Sequence, residues 1–173
     1  MTVRQATPAD AEAIAGIHVR SWQAAYRGLM PQDHLDGLDP AARLPRWRRL
    51  LGETAWPRSG ILVAEDDGGV TGFTGFGPAR DPDQDPASVA EITTLYLAPE
   101  AWGRGIGGAL LGTAVDALTG AGYGLATLWV LDTNARARRF YEALGWRGDG
   151  TVKPDDLRGF PLTEVRYALA LRT

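Results

Sequence analysis

The chain contains no cysteine. Disulfides, thiolate metal sites and a cysteine nucleophile are excluded together. Histidine is nearly absent as well. His18 and His34 are the only two, and they lack metal-ligand spacing, so no metal is expected. No apolar run approaches the roughly 18 residues of a membrane span. The opening MTVRQATPADAEAIAG has no secretory apolar stretch, so neither membrane association nor export is expected. These absences together point to the cytoplasm. A basic excess is missing too: the net charge is −3, which argues against nucleic acid as a partner. No repeat and no linker composition interrupts the 173 residues, of which 45% are hydrophobic. One domain over residues 1–173 with a sizeable core is the expected organisation.

The most informative stretch that is present is residues 91–111, EITTLYLAPEAWGRGIGGALL. It reads as a strand, a short loop, four closely spaced glycines and a helix. Gly103, Gly105, Gly107 and Gly108 leave the main chain uncrowded. A helix beginning near Gly105 points unpaired N–H groups and its positive dipole end at the same place. The combination is a phosphate cradle. A P-loop would need Lys and then Ser/Thr after the last glycine, whereas Ala109 and Leu110 follow Gly108. The spacing Gly103, Gly105, Gly108 does satisfy G-x-G-x-x-G, with Asp132 following the next strand. In a dinucleotide fold, however, the first glycine leaves the strand directly, and here APEAW intervenes. An NAD(P)-dependent oxidoreductase is therefore the weaker reading.

Around this stretch the pattern predicts a strand at 3–5, then a helix start at Thr7-Pro8-Ala9-Asp10 with Thr7 as N-cap and Asp10 completing the box. Helical spacing continues to about Tyr26 and resumes over 31–38 and 40–51. Strands follow at 61–65 and 70–76, joined by Asp66-Asp67-Gly68-Gly69, a hairpin signal. Glycines in the second strand predict bulging. Residues 80–87 read as a polar loop and 91–97 as a strand. Ile106, Leu110, Leu111, Ala114, Val115 and Leu118 form a helix face. A strand over 124–131, a helix capped by Asn134 and ended by Gly145, and a last strand over 162–171 complete the chain.

Trp102-Gly103-Arg104-Gly105-Ile106-Gly107 resembles the acetyl-CoA-binding segment Gln/Arg-x-x-Gly-x-Gly/Ala of the GNAT family, the Gcn5-related N-acetyltransferases. Trp102 stands where the family carries Gln or Arg, which removes one side-chain donor to the pyrophosphate. NARARRFYEALGW, residues 134–146, resembles the family's second signature. The resemblance implies an α/β (α+β) fold: a mixed, mostly antiparallel sheet of about six or seven strands flanked by helices and splayed between the fourth and fifth. It implies an N-acetyltransferase that moves an acetyl group from acetyl-CoA, by direct attack, to a primary amine of a small molecule or a peptide. No metal is needed. A homodimer is among the assemblies it allows. A non-catalytic acyl-CoA-binding sensor with the same fold is the alternative.

Site residues follow residue by residue from the same resemblance. Tyr141 is expected to protonate the leaving thiolate and Glu91 to act as the base. Leu95, Tyr96 and Leu97 are expected to offer backbone to the pantetheine arm. Trp102, Gly103, Arg104, Gly105, Ile106, Gly107 and Gly108 are expected around the pyrophosphate, with Asn134 supporting the cofactor arm. Arg104 is the strongest side-chain candidate for a CoA phosphate, and Arg136, Arg138 and Arg139 read rather as a solvated helix face. Trp22, Tyr26, Phe76 and Trp129 are the aromatic material for an acceptor pocket. Two acidic clusters, one of them Asp81, Asp83 and Asp85, either attract a cationic amine or merely solvate loops.

Overall fold

The computed structural model describes residues 1–157 and 160–172. The chain runs β1 (Thr2–Gln5), α1 (Ala11–Ala25), α2 (Gln32–Asp36), α3 (Pro40–Gly52), β2 (Gly60–Asp66), β3 (Gly69–Pro78), β4 (Val89–Leu97), α4 (Ile106–Gly120), β5 (Leu125–Leu131), α5 (Ala135–Ala143), β6 (Arg147–Leu157) and β7 (Phe160–Ala170). The seven strands form one sheet in the order β1-β2-β3-β4-β5-β7-β6. All neighbours are antiparallel except β4 and β5.

The local chemistry explains the elements. Before α1, Asp10 accepts the Thr7 backbone N–H at 2.7 Å, the reciprocal half of the expected capping box. Asp39 caps α3 by accepting from Ala41 N, and Pro40 takes the first helical position. Bulging occurs in β3 as its glycines predicted: the β2–β3 register shifts between Ala64 and Glu65 and leaves Thr71 as an extra residue. A second irregularity, between Gly75 and Phe76, places its extra residue in β4 instead. The hairpin signal at 66–69 joins β2 to β3.

Successive residues of β3 show the layering, because strand side chains alternate between faces. A Cβ on Gly72 would touch Leu110 of α4 at 3.3 Å. Phe73, on the other face, packs against Trp47 of α3 and Tyr96 of β4. The sheet is therefore sandwiched between α4 and the α1–α3 layer. Ile14, Ile17, Leu62, Val63, Phe73, Leu110, Leu118, Leu128 and Trp146 are almost wholly buried in the shared core.

One strand was not anticipated from the sequence. β6 pairs with β7 at the edge of the sheet.

Candidate active site

The site begins where the two parallel strands part. β4 and β5 pair only through Val89↔Leu125, Ala90↔Ala126 and Glu91↔Thr127. Immediately beyond, the β3–β4 register jumps from Phe76↔Ile92 to Gly75↔Thr94, which leaves Thr93 as an extra residue in β4. A bulge bends the strand that carries it. Here the bend coincides with the end of β4–β5 pairing, so the later part of β4 has a partner on one side only. A cavity of about 950 Å³ opens along that edge. Leu95, Tyr96, Leu97, Trp102, Gly103, Gly105, Ile106, Gly107, Gly108 and Asn134 all border it, so the residues expected at the cofactor are brought together on one cavity, Arg104 excepted.

The glycine loop is a cradle by backbone geometry. Gly103 and Gly105 have φ of 76° and 77°, a left-handed conformation that favours glycine. Gly105 is the N-cap of α4, so the helix's first N–H groups face the cavity's upper end. A Cβ built on Gly103, Gly105 or Gly108 would meet nothing within 4 Å, which is the room an approaching phosphate requires. Gly107 differs. Its Cβ would meet Phe140 at 3.2 Å, so this glycine sets the approach of α4 to α5.

Tyr141 reaches the cavity from α5, whose start is fixed by Asn134 Oδ1 accepting from Ala137 N at 3.1 Å. Its ring lies against Phe140, Trp146 and Tyr167. Burial, reinforced by Tyr96, pushes the Tyr141 phenol well above its ordinary value. The group therefore keeps its proton through neutral pH, which suits an acid and not a base.

Glu91 is buried at the cavity's floor, yet it is not free. Arg80 Nε donates to its Oε2 at 3.0 Å and Arg80 Nη2 to its Oε1 at 2.7 Å. This bidentate fork occupies both carboxylate oxygens of Glu91. Arg80 borders the cavity too, although no motif marks it. Its side chain is 65% exposed, so the fork is closed from the solvent side.

Of the residues expected in an acceptor pocket, Trp22, Tyr26 and Trp129 line the cavity, together with Met30, Lys153 and Glu164. Trp22 and Tyr26 pack edge to face at 5.1 Å on one side of α1. Opposite them, Lys153 Nζ sits 4.0 Å above the Trp129 ring and 3.5 Å from Glu164 Oε2. Burial pushes the Glu164 carboxyl up. Lys153 opposes that shift, while Asp155 and Glu91 reinforce it. Glu164 and Lys153 lie on the last hairpin and carried no motif signal.

Two sequence-based site assignments require correction. Phe76 does not border the cavity: it packs in the core against Trp56, with its Cζ 3.0 Å from where a Gly60 Cβ would lie. Arg104 is absent from the cavity wall as well, because it turns to Asp66 at 3.2 Å. The acidic loop also has a different purpose from amine recruitment. Asp81 and Asp83, together with Asp149, surround the buried Arg166 at 3.1, 2.7 and 2.6 Å. Thr151 accepts a further bond from Arg166, and Asp81 accepts from Trp129 Nε1. Asp85 accepts from the backbone N–H of Ala87 within its own loop. The cluster thus clasps the β3–β4 loop to β5, β6 and β7.

A half-open strand edge runs from a glycine cradle to the half-buried Tyr141 phenol, an arrangement that suits an extended, phosphate-bearing ligand. Comparison with known proteins agrees. The Acetyltransferase (GNAT) family profile matches residues 20–146. The uncharacterized N-acetyltransferase YuaI of Bacillus subtilis is 33% identical over 83% of this chain and 78% of its own length. The Mycobacterium tuberculosis protein named "Probable N-acetyltransferase Rv2775" is 30% identical over 96% of this chain and 92% of its own. Among solved structures, YncA of Salmonella typhimurium, determined with its cofactor acetyl-CoA, superposes with a TM-score of 0.74 at 25% identity, covering 100% of this chain and 95% of that one. The chain belongs to the GNAT family of acetyltransferases. It is an acetyl-CoA-dependent N-acetyltransferase, and the dinucleotide reading of Gly103, Gly105 and Gly108 is set aside.

Proposed function

We propose that the protein acetylates a primary amine of a small molecule or a peptide by direct transfer, with Tyr141 as the acid at the thiolate. The observation that carries this reading is the convergence of three features on one cavity: the unpaired β4 edge, the glycine cradle and the half-buried Tyr141. Bound acetyl-CoA supplies an activated acyl group. The chain's own groups do the rest. Backbone N–H groups of the loop and of α4 hold phosphate, the β4 edge from Thr94 to Leu97 holds the pantetheine amides, and a β4 N–H polarises the carbonyl. The neutral Tyr141 phenol returns a proton to sulfur.

The incoming ammonium must lose a proton, and among the described residues three carboxylates border the cavity, Glu91, Asp155 and Glu164. Glu91 is the base in this reading, working once Arg80 yields one of its oxygens. Glu164 receives the ammonium: its carboxyl is held by a single loose contact to Lys153 and faces the aromatic wall of Trp22 and Tyr26. Burial of Tyr26 keeps its phenol protonated, so that wall stays uncharged. A compact amine with an apolar body fits such a chamber. The cytoplasm belongs to the same proposal, and so does a homodimer, which sedimentation of the pure protein decides. The test is thiol release from acetyl-CoA against a panel of primary amines, amino acids and peptide N-termini. Release that depends on one class of amine is expected. Acetyl-CoA binding without release from any amine would sink the reading in favour of a non-catalytic acyl-CoA sensor.

A further inference from the structure

Four arginines surround the phosphate cradle, and the structure separates them. Arg104 is paired with Asp66. Arg138 turns inward, donating to Tyr167 Oη at 3.0 Å and to the Asp132 carbonyl at 3.0 Å. Arg139 is exposed and does not border the cavity. Arg136 alone combines three properties. It stands in the first turn of α5, it borders the cavity beside Gly103 and Gly105, and among the described residues it has no carboxylate partner. Its guanidinium carbon lies 4.1 Å above the centre of the Trp102 ring.

The Trp102 ring is itself fixed, since its Nε1 donates to the Leu97 carbonyl at 3.2 Å. A guanidinium lying on an aromatic face is held in orientation while its N–H edge stays free. That edge matches a phosphate, which takes two parallel N–H bonds from arginine. Trp102 occupies the very position at which the resemblance anticipates a Gln or Arg donor. We propose that Arg136, oriented by its stack on Trp102, is the side-chain ligand for a CoA phosphate, and that the Trp102–Arg136 pair replaces the donor missing from the loop. Trp102 is the positioning residue and Arg136 the binding one. The phosphate is either the pyrophosphate at the cradle or the ribose 3′-phosphate. Both offer the same chemistry.

The proposal rests on the acetyl-CoA reading of the cavity, and titration calorimetry keeps the two apart. CoA and dephospho-CoA are titrated into the wild-type chain, Arg136→Ala, Arg136→Lys, Arg139→Ala, Trp102→Ala and the Trp102→Ala/Arg136→Ala double variant. The wild type binding CoA establishes the site itself. Arg136→Ala is then expected to bind CoA roughly ten-fold more weakly, the lower end of what a charge-assisted hydrogen bond contributes. Arg136→Lys should recover part of that loss, and Arg139→Ala should bind as the wild type does. The penalty persisting with dephospho-CoA assigns the pyrophosphate; its disappearance assigns the 3′-phosphate. Trp102→Ala should add little once Arg136 is gone, because it acts through that residue. Equal CoA affinity in Arg136→Ala and the wild type overturns the proposal, as does an equal loss in Arg139→Ala. A Trp102→Ala loss that is undiminished in the double variant overturns the positioning role.

Discussion

Removing the Arg166 guanidinium, as in Arg166→Met, is the perturbation with the most clearly bounded cost. Arg166 is 6% exposed and its charge is met by three carboxylates whose side chains are 16%, 56% and 26% exposed at Asp81, Asp83 and Asp149. Breaking a buried pair from one side costs about 3–5 kcal/mol, because the partner is left charged and uncompensated. Two facts place this case at the low end. Asp83 is already half in water, and the other two keep neutral donors, Trp129 Nε1 for Asp81 and the Thr151 backbone N–H for Asp149. About 3 kcal/mol is therefore expected, or a melting temperature roughly 6 to 12 °C lower for a chain of this size. The pH dependence carries a signature. Arg166 holds the Asp83 carboxyl below its ordinary value. Burial alone would raise Asp149, but Thr151 and Arg166 outweigh it and hold it low. Groups so depressed bind fewer protons folded than unfolded. Their stabilisation is present above the ordinary carboxylate range and is lost as pH falls through it. Arg166→Met should thus flatten the acid limb of a melting-temperature profile recorded from pH 7 down to 3. Asp83→Asn should cost far less, since that carboxylate is more than half exposed. An Arg166→Met protein that melts within a degree of the wild type, with an unchanged acid limb, would refute the reasoning.

The remaining predictions concern the site. Tyr141→Phe should lower kcat by about a hundred- to ten-thousand-fold, the range of general acid catalysis, while calorimetry finds acetyl-CoA affinity unchanged. A kcat equal to the wild type removes the acid role. Glu164→Gln should separate stability from activity. A raised carboxyl binds more protons folded than unfolded, so stability declines with rising pH above the ordinary carboxylate range, and the neutral amide escapes that decline. The variant should melt higher near pH 7 and have a raised KM for the amine; a lower melting point with an intact KM contradicts both halves. Gly107→Ala and Gly108→Ala should diverge although the two are neighbours. The first meets Phe140 and costs about 1 kcal/mol or more. The second meets nothing within 4 Å, gains roughly 0.5–1 kcal/mol of helix stability and still weakens acetyl-CoA by filling the phosphate's room. Melting curves with and without acetyl-CoA check both.

What could be read in advance was local. The glycine loop, the Asn134 cap, the capping box at Thr7 and the β3 bulge at Thr71 are each specified by residues close together in sequence, and each lies where the pattern put it. β6 escaped for a physical reason. RGDGTVKPDDL is rich in Gly, Asp and Pro, which strands disfavour, and only an edge position tolerates Pro154 there. The fork of Arg80 on Glu91 and the clasp of Arg166 join residues that no periodicity links; Arg166 and Asp81 are 85 positions apart. An aspartate that neutralises a buried arginine is indistinguishable, as a letter, from one that faces water. Phe76 misled for the converse reason: an aromatic near a site is as suitable for the core as for a pocket.

The cavity is built by two groups of elements with separate duties. β4, α4 and α5 carry the glycine loop, the open edge and Tyr141, whereas α1, the β3–β4 loop and the β6–β7 hairpin carry Trp22, Arg80, Lys153 and Glu164. The Arg166 clasp ties the β3–β4 loop to β6 and β7, so these parts of the second group are held as one wall. Changes at Trp22, Met30 or Lys153 reshape one side of the chamber without touching the glycine loop or the open β4 edge. An architecture of this kind can exchange one customer for another while its fuel supply stays constant, and a redesign of its selectivity should begin at the clasped wall.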